Sequence, residues 1–273
     1  MLSGIGDNLS WISVITPRVP SEPMNKFVKL YPAEVFFVLS GRWKFFWGRY
    51  GKAGNVILEK GDIFNIPTGI FRGFENIGKD YGMIMAILGG NDAGGGVIWA
   101  PEVLKEAENH GLILSEKGKI YDTKIGQQLP SNEKLMQPLT ENELKKFPEY
   151  SSAEVVPNYV ARYLDLYSLS QNYPATVIGE NGKIFDKPGF EVDFITSASA
   201  TDRKHKHDRP SVLMPVKGHW RVDWEGGSSV LAPGDTMSVP ENMMHSAVPS
   251  MTGEAALYHI VATNDPAGLT WKG

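Results

Sequence analysis

The sequence predicts an all-β protein made of two tandem copies of one barrel-like unit, joined by a partly helical connector. Three observations predict it. Long stretches of the first third recur in register in the last third. Short runs rich in Val, Ile, Phe and Trp alternate with Gly, Pro and Asp. The 29 Gly and 18 Pro are spread along the 273 residues rather than gathered in one linker.

The repeat is read directly. "GRWKFFW" at 41–47 matches "GHWRVDW" at 218–224, an offset of 177 that extends back to align Glu34 with Ser211. "GDIFNIPTGIFRGFEN" at 61–76 matches "GDTMSVPENMMHSAVP" at 234–249 with an offset of 173, which holds through to the Asn-Asp pairs at 91–92 and 264–265. The four-residue difference falls in "GRYGKAGN", a loop, where a change of length costs least. Two units are therefore expected, over about 11–92 and 188–265. As domains, the division is 1–99, a connector over 100–175, and 176–273.

Within each unit, segments such as "EVFFVLSG", "WKFFW" and "GMIMAIL" read as short antiparallel strands of a sandwich or barrel. In the connector, Pro101 predicts a helix through "EVLKEAENH", with Pro in the first turn and Gly111 past the end. Thr140 and Glu143 have the spacing of a capping box. Residues 113–139 read as irregular chain, and "NYVARYLDLYSLSQ" at 158–171 fits helix and strand equally.

Composition narrows the function classes. A net charge of −4 gives no reason to expect a nucleic-acid partner. No apolar run approaches the roughly 18–20 residues of a membrane helix, and "MLSGIGDNLSW" lacks the pattern of a signal peptide. A cytoplasmic protein without membrane partners is the expectation. There is no cysteine, so a transition-metal site must draw on His, Asp or Glu.

The two units resemble the cupin superfamily of jelly-roll barrels, whose motifs are G-x5-H-x-H-x3–4-E-x6-G and G-x5-P-x-G-x2-H-x3-N. The second unit carries His205-x-His207, Ser211 in place of Glu, and Gly218, followed by Gly234, Pro240 and His245. It departs at Asn242, where Gly is usual, and at Pro249, where Asn is usual. The first unit keeps Glu34, Gly41, Gly61, Pro67, Gly69 and Asn76 but has Val28, Leu30 and Arg72 at the histidine positions. The resemblance covers about 160 residues and implies a bicupin fold.

An isolated H-x-H is more often a solvated basic strand than a metal site. His245 at the motif spacing tips the reading to metal, with His205, His207 and His245 as ligands on neighbouring strands, where residues i and i+2 face one side. Ser211 supplies no carboxylate, so three neutral imidazoles would leave the ion its full charge and favour an anionic chelating substrate. If 203–209 is a strand, Arg203 and Arg209 share the histidine face and could fork onto a substrate carboxylate. Trp220 is read as core or as an aromatic substrate wall, and His259 as a residue behind the ligands or a hydrogen-bonded core histidine. Arg72 could pair with Glu34, making the first unit a metal-free structural half.

The resemblance to three-histidine cupins implies dioxygenases of the gentisate, salicylate and hydroxynaphthoate group. The expectation is one divalent transition metal, Fe(II) favoured, with Ni, Zn or Mn possible as bound, in an oxidoreductase acting on an anionic small molecule. A redox-neutral isomerase or lyase and a non-catalytic binding protein are the alternatives. Covering of sheet edges suggests a homodimer.

Overall fold

The computed structural model describes residues 11–15, 28–29, 34–88, 98–184 and 189–263. Leu30 and the Asn-Asp pairs at 91–92 and 264–265 lie outside the described residues. The first unit runs through β1 (Trp11–Ile15), β2 (Val28–Lys29), β3 (Glu34–Ser40), β4 (Arg42–Trp47), β5 (Gly54–Glu59), β6 (Ile63–Ile66), β7 (Phe71–Asn76), β8 (Met83–Leu88) and β9 (Ile98–Trp99). The connector holds α1 (Pro101–Asn109), β10 (Leu112–Leu114), β11 (Ile120–Asp122), α2 (Glu141–Leu144), α3 (Ser152–Tyr159), β12 (Val160–Ala161) and α4 (Tyr163–Leu169). The second unit runs through β13 (Ala175–Ile178), β14 (Phe190–Thr196), β15 (Ser211–Lys217), β16 (Trp220–Trp224), β17 (Gly227–Leu231), β18 (Met237–Val239), β19 (His245–Pro249) and β20 (Ala256–Ala262).

The repeat holds at the level of register. One sheet has the order β1-β8-β3-β6-β12 and its counterpart the order β13-β14-β20-β15-β18, so β14, β20, β15 and β18 repeat β1, β8, β3 and β6. Facing sheets are β5-β4-β7-β2-β9 and β17-β16-β19. Glu34 pairs with Leu88 and Ile66, as Ser211 pairs with Val261 and Val239. Trp47 lies opposite Arg72, as Trp224 lies opposite His245. Even the bulge after Val38 has its partner after Pro215.

Burial explains why strands of such different composition all form. β4 and β5 alternate buried and open positions, the period of a sheet with one face in the core. β3 and β15 are buried on both faces. In β3, Phe36 and Val38 fill the first barrel while Val35, Phe37 and Leu39 face out. Those outer residues pack on Val212, Met214, Tyr258 and Ile260 of the second unit. The barrels thus stand back to back across one shared apolar layer. Tyr258 crosses it, donating its hydroxyl to the Gly61 carbonyl at 2.7 Å and meeting Phe37 edge to face at 4.9 Å.

The connector belongs to both barrels. Val160 and Ala161 extend the first barrel's sheet beside β6, and Val155 and Tyr159 enter that barrel's core. Leu166 joins the layer between the units. Arg162 holds Asp62 at 2.8 Å. The helix at Pro101 and the capping box of Thr140 and Glu143 form as expected. Residues 113–139 are less irregular than expected. β10 and β11 make a hairpin, because Gly118 (φ 79°) can turn the chain in the left-handed region and let "LIL" pair with "IYD". The ambiguous stretch 158–171 is divided: it closes α3, forms β12, then makes the whole of α4.

Candidate metal centre

The site is built where the histidine loop meets the start of β19. His205 and His245 form an isolated antiparallel bridge, with N–H to carbonyl distances of 2.8 and 2.9 Å. It repeats the pairing of Val28 with Arg72 in the first unit. The expectation of a continuous strand through 203–209 is not met. Residues 201–210 are loop apart from this bridge, so the parity that put Arg203 and Arg209 on the histidine face does not apply. The charged side chains Arg203, Lys204, Lys206 and Asp208 are instead exposed to water, which keeps the loop off the sheet.

Asn242 positions the loop. It adopts φ 60° where the first unit has Gly69 at φ 77°. Asn is the side chain that best tolerates this region after Gly, so the departure from the motif preserves the turn. Its N–H donates to the His207 carbonyl at 2.6 Å, tying the loop to the turn before His245.

Among the described residues, His205, His207 and His245 bring ring nitrogens within 4.8 Å of one another. The Nδ1 of His245 lies 3.0 Å from the Met243 carbonyl, and that of His205 lies 3.3 Å from the Arg203 carbonyl. A carbonyl can only accept, so Nδ1 carries the proton and Nε2 keeps its lone pair for the cluster. The Nε2 atoms of His207, His245 and His259, and the Ser211 hydroxyl, are buried with no hydrogen-bond partner. Burial lowers the pKa of His207, and the imidazoles of His205 and His245 lower it further. Burial also lowers the pKa of His245, outweighing the hydrogen bond to the Met243 carbonyl, which raises it. Neutral, partnerless, convergent nitrogens suit a divalent transition metal.

The remaining sequence candidates fall in distinct places. Ser211 is buried at the head of β15, inside the barrel. His259 is 5% exposed, its ring centroid 4.8 Å from that of His207. Trp220 is fully buried among Leu213, Val222, Leu231 and Val239, and donates Nε1 to the Lys217 carbonyl at 3.3 Å. That is core packing, so the aromatic-wall reading gives way. Arg209 is half-buried, its Nε shielded from solvent 3.8 Å from Asp208. Arg203 contributes its carbonyl to His205, while its side chain is exposed. In the first barrel, Arg72 donates Nε and Nη2 to Glu34 Oε2 at 3.0 and 2.8 Å. A buried ion pair stands there at two of the four motif positions.

Burial, then the imidazoles of His207, His205 and His245, lower the pKa of His259 from 6.5 to about 3. In the unfolded chain it titrates near 6.5, so acid favours unfolding. The stabilisation is full above that pH and is lost as pH falls toward 3. The difference is on the order of a few kcal/mol. Metal-free protein should therefore show a urea midpoint that drops steadily from pH 6.5 to 4. His259→Gln should flatten that slope; an unchanged slope would place the acid sensitivity elsewhere.

No family model matches the chain, and no curated protein matches it by sequence. Solved structures do. Bacillus subtilis oxalate decarboxylase at pH 4.6 aligns with 94% of this chain and 69% of its own, at 15% identity and a TM-score of 0.54. The formate complex of Lactobacillus farciminis oxalate decarboxylase aligns with 94% and 78%, at 14% identity and 0.53. A Bacillus subtilis oxalate decarboxylase structure concerned with its Mn(II) centres aligns at 16% identity and 0.52. The chain has the bicupin fold. Those bicupins are decarboxylases, not the aromatic-acid dioxygenases to which the three-histidine pattern pointed. At this identity the likeness carries the fold and leaves the reaction to be argued from the site. No helix among the described residues is long and apolar enough to cross a membrane.

Proposed function

We propose that the second barrel of this bicupin is a single divalent-metal centre, held by His205, His207 and His245, acting as an Fe(II) dioxygenase on a small anionic chelator such as an aromatic hydroxy acid. The observation that carries the reading is the group of three ring nitrogens within 4.8 Å, with Ser211 where a carboxylate is usual. Bound there, Fe(II) would supply Lewis acidity and one-electron chemistry toward O2. The chain's own part is to hold neutral ligands and orient the substrate. Without a carboxylate among these three, the ion's charge is left to attract an anion. Arg209, half-buried with an Nε that makes no hydrogen bond, is the better candidate than exposed Arg203 to fork onto a substrate carboxylate. The first barrel is read as structural, its motif positions taken by Glu34 and Arg72.

A redox-neutral metal-dependent lyase is the second reading, supported by the likeness in fold to oxalate decarboxylases. One experiment separates the two. Iron-loaded protein, prepared without air, is offered gentisate, salicylate, hydroxynaphthoate, a diketone and oxalate, with and without O2. The dioxygenase reading expects O2 uptake matched to loss of one of the first four. Equal turnover without O2 sinks it in favour of the lyase, and Arg209→Ala should raise KM for a carboxylate substrate more than for the diketone.

A further inference from the structure

The aligned strands of the two barrels match position by position, and one exchange falls beside the histidine cluster. Glu34 corresponds to Ser211, and Ala86 to His259. The registers agree: Phe36 pairs with Ala86 as Leu213 pairs with His259. Glu34 and Phe36 share a face, so Ala86 faces the same interior as Glu34, and His259 the same interior as Ser211. The first barrel thus sets a long polar side chain on β3 beside a small one on β8. The second sets a small one on β15 beside a long polar one on β20. Volume and metal-ligating capacity have moved together to the adjacent strand.

We infer that His259 is the fourth protein ligand of the metal centre, reaching from β20 the coordination position that a carboxylate at Ser211 would fill from β15. The inference rests on reading His205, His207 and His245 as ligands. It draws on two further observations. The first is the unpartnered Nε2 of His259, buried with the unpartnered Nε2 of His207 and His245. Leaving such a group unsatisfied costs on the order of 1–3 kcal/mol, a reason for it to have a partner.

The second is ring placement. A metal–nitrogen bond of about 2.1 Å puts imidazole centroids about 4.5 Å apart at a right angle and about 6.5 Å apart when opposed. His259 lies 4.8, 6.2 and 6.3 Å from the rings of His207, His205 and His245. The other three separations are 4.5, 5.1 and 6.0 Å. All six fall in the window for four rings around one point. The nitrogens of the other three histidines form the tighter group, and His259 stands one step outside it, nearest His207. Four neutral ligands would leave two positions of an octahedral ion, enough for a chelating anion but without a third.

Wild-type protein loaded with Cu(II) should show four coupled imidazoles by pulsed electron paramagnetic resonance, a count that needs no variant. His259→Ala should show three and bind Cu(II) on the order of 10- to 100-fold more weakly in competition with a chelator. Ser211→Glu/His259→Ala, which rebuilds the first barrel's arrangement, should recover most of that affinity. Three coupled imidazoles in wild type, with affinity unchanged in His259→Ala, would overturn the inference. If His207→Ala still loses the metal in that case, the three-histidine reading stands. If His207→Ala also binds as wild type does, both readings fall.

Discussion

Arg72→Ala should destabilise the protein by about 3–5 kcal/mol, the range for removing one partner of a buried ion pair. Arg72 is 2% exposed and Glu34 is 8% exposed. Both the Nε and Nη2 of the guanidinium donate to one carboxylate oxygen. Truncating Arg72 would leave a carboxylate deep in the first barrel, beside Phe36 and Ile66, with its charge uncompensated. The cost is therefore that of a stranded charge, and it is larger than the net worth of the pair. This gives a second, sharper expectation. Glu34→Leu/Arg72→Met, which replaces both charges by apolar groups of similar volume, should cost far less than Arg72→Ala alone. Urea unfolding of the two variants decides it. A loss below about 1 kcal/mol in Arg72→Ala would mean that water reaches the pair, in the range of exposed ion pairs.

The same pair shows why the fold was legible in the sequence. A repeat with fixed Gly, Trp and Pro spacing constrains the turns, and turns set register in antiparallel sheets. The alignment of Glu34 with Ser211 and of Arg72 with His245 could therefore be read before any strand was placed, and the pairings agree with it. The grouping of His205, His207 and His245 was legible for the same reason. What the sequence did not disclose depends on contacts between distant segments. Arg203 and Arg209 looked like members of a strand because the alternation of His and Arg mimics one. The chain there is held by a single bridge, and by Asn242 from another turn. β12 is two residues long and forms because β6 offers an open edge. The proposal for His259 comes into view only once Ala86 is known to be its counterpart. That requires the offset to be carried into β20, where no motif residue marks the position.

His207→Ala should remove tight metal binding from the protein, and Asn242→Val should weaken it without touching a ligand. The first follows from a site whose donors are neutral imidazoles. Each one removed takes away a coordinate bond, and no carboxylate at Ser211 can compensate. Metal analysis after gel filtration should show wild-type occupancy near one per chain and His207→Ala near none. His110→Ala serves as the control: it is exposed, with Nδ1 3.0 Å from the Glu106 carbonyl, and should bind as wild type does. The second follows from the turn. A β-branched residue is strained at φ 60°, so Asn242→Val should pull the backbone away and lengthen the bond to the His207 carbonyl. Asn242→Gly, free at that φ, should hold metal as wild type does. Loss of metal in the Val variant with retention in the Gly variant would trace the defect to the backbone of the turn. Equal binding in both would mean that the histidine loop is set by the His205–His245 bridge without help from Asn242.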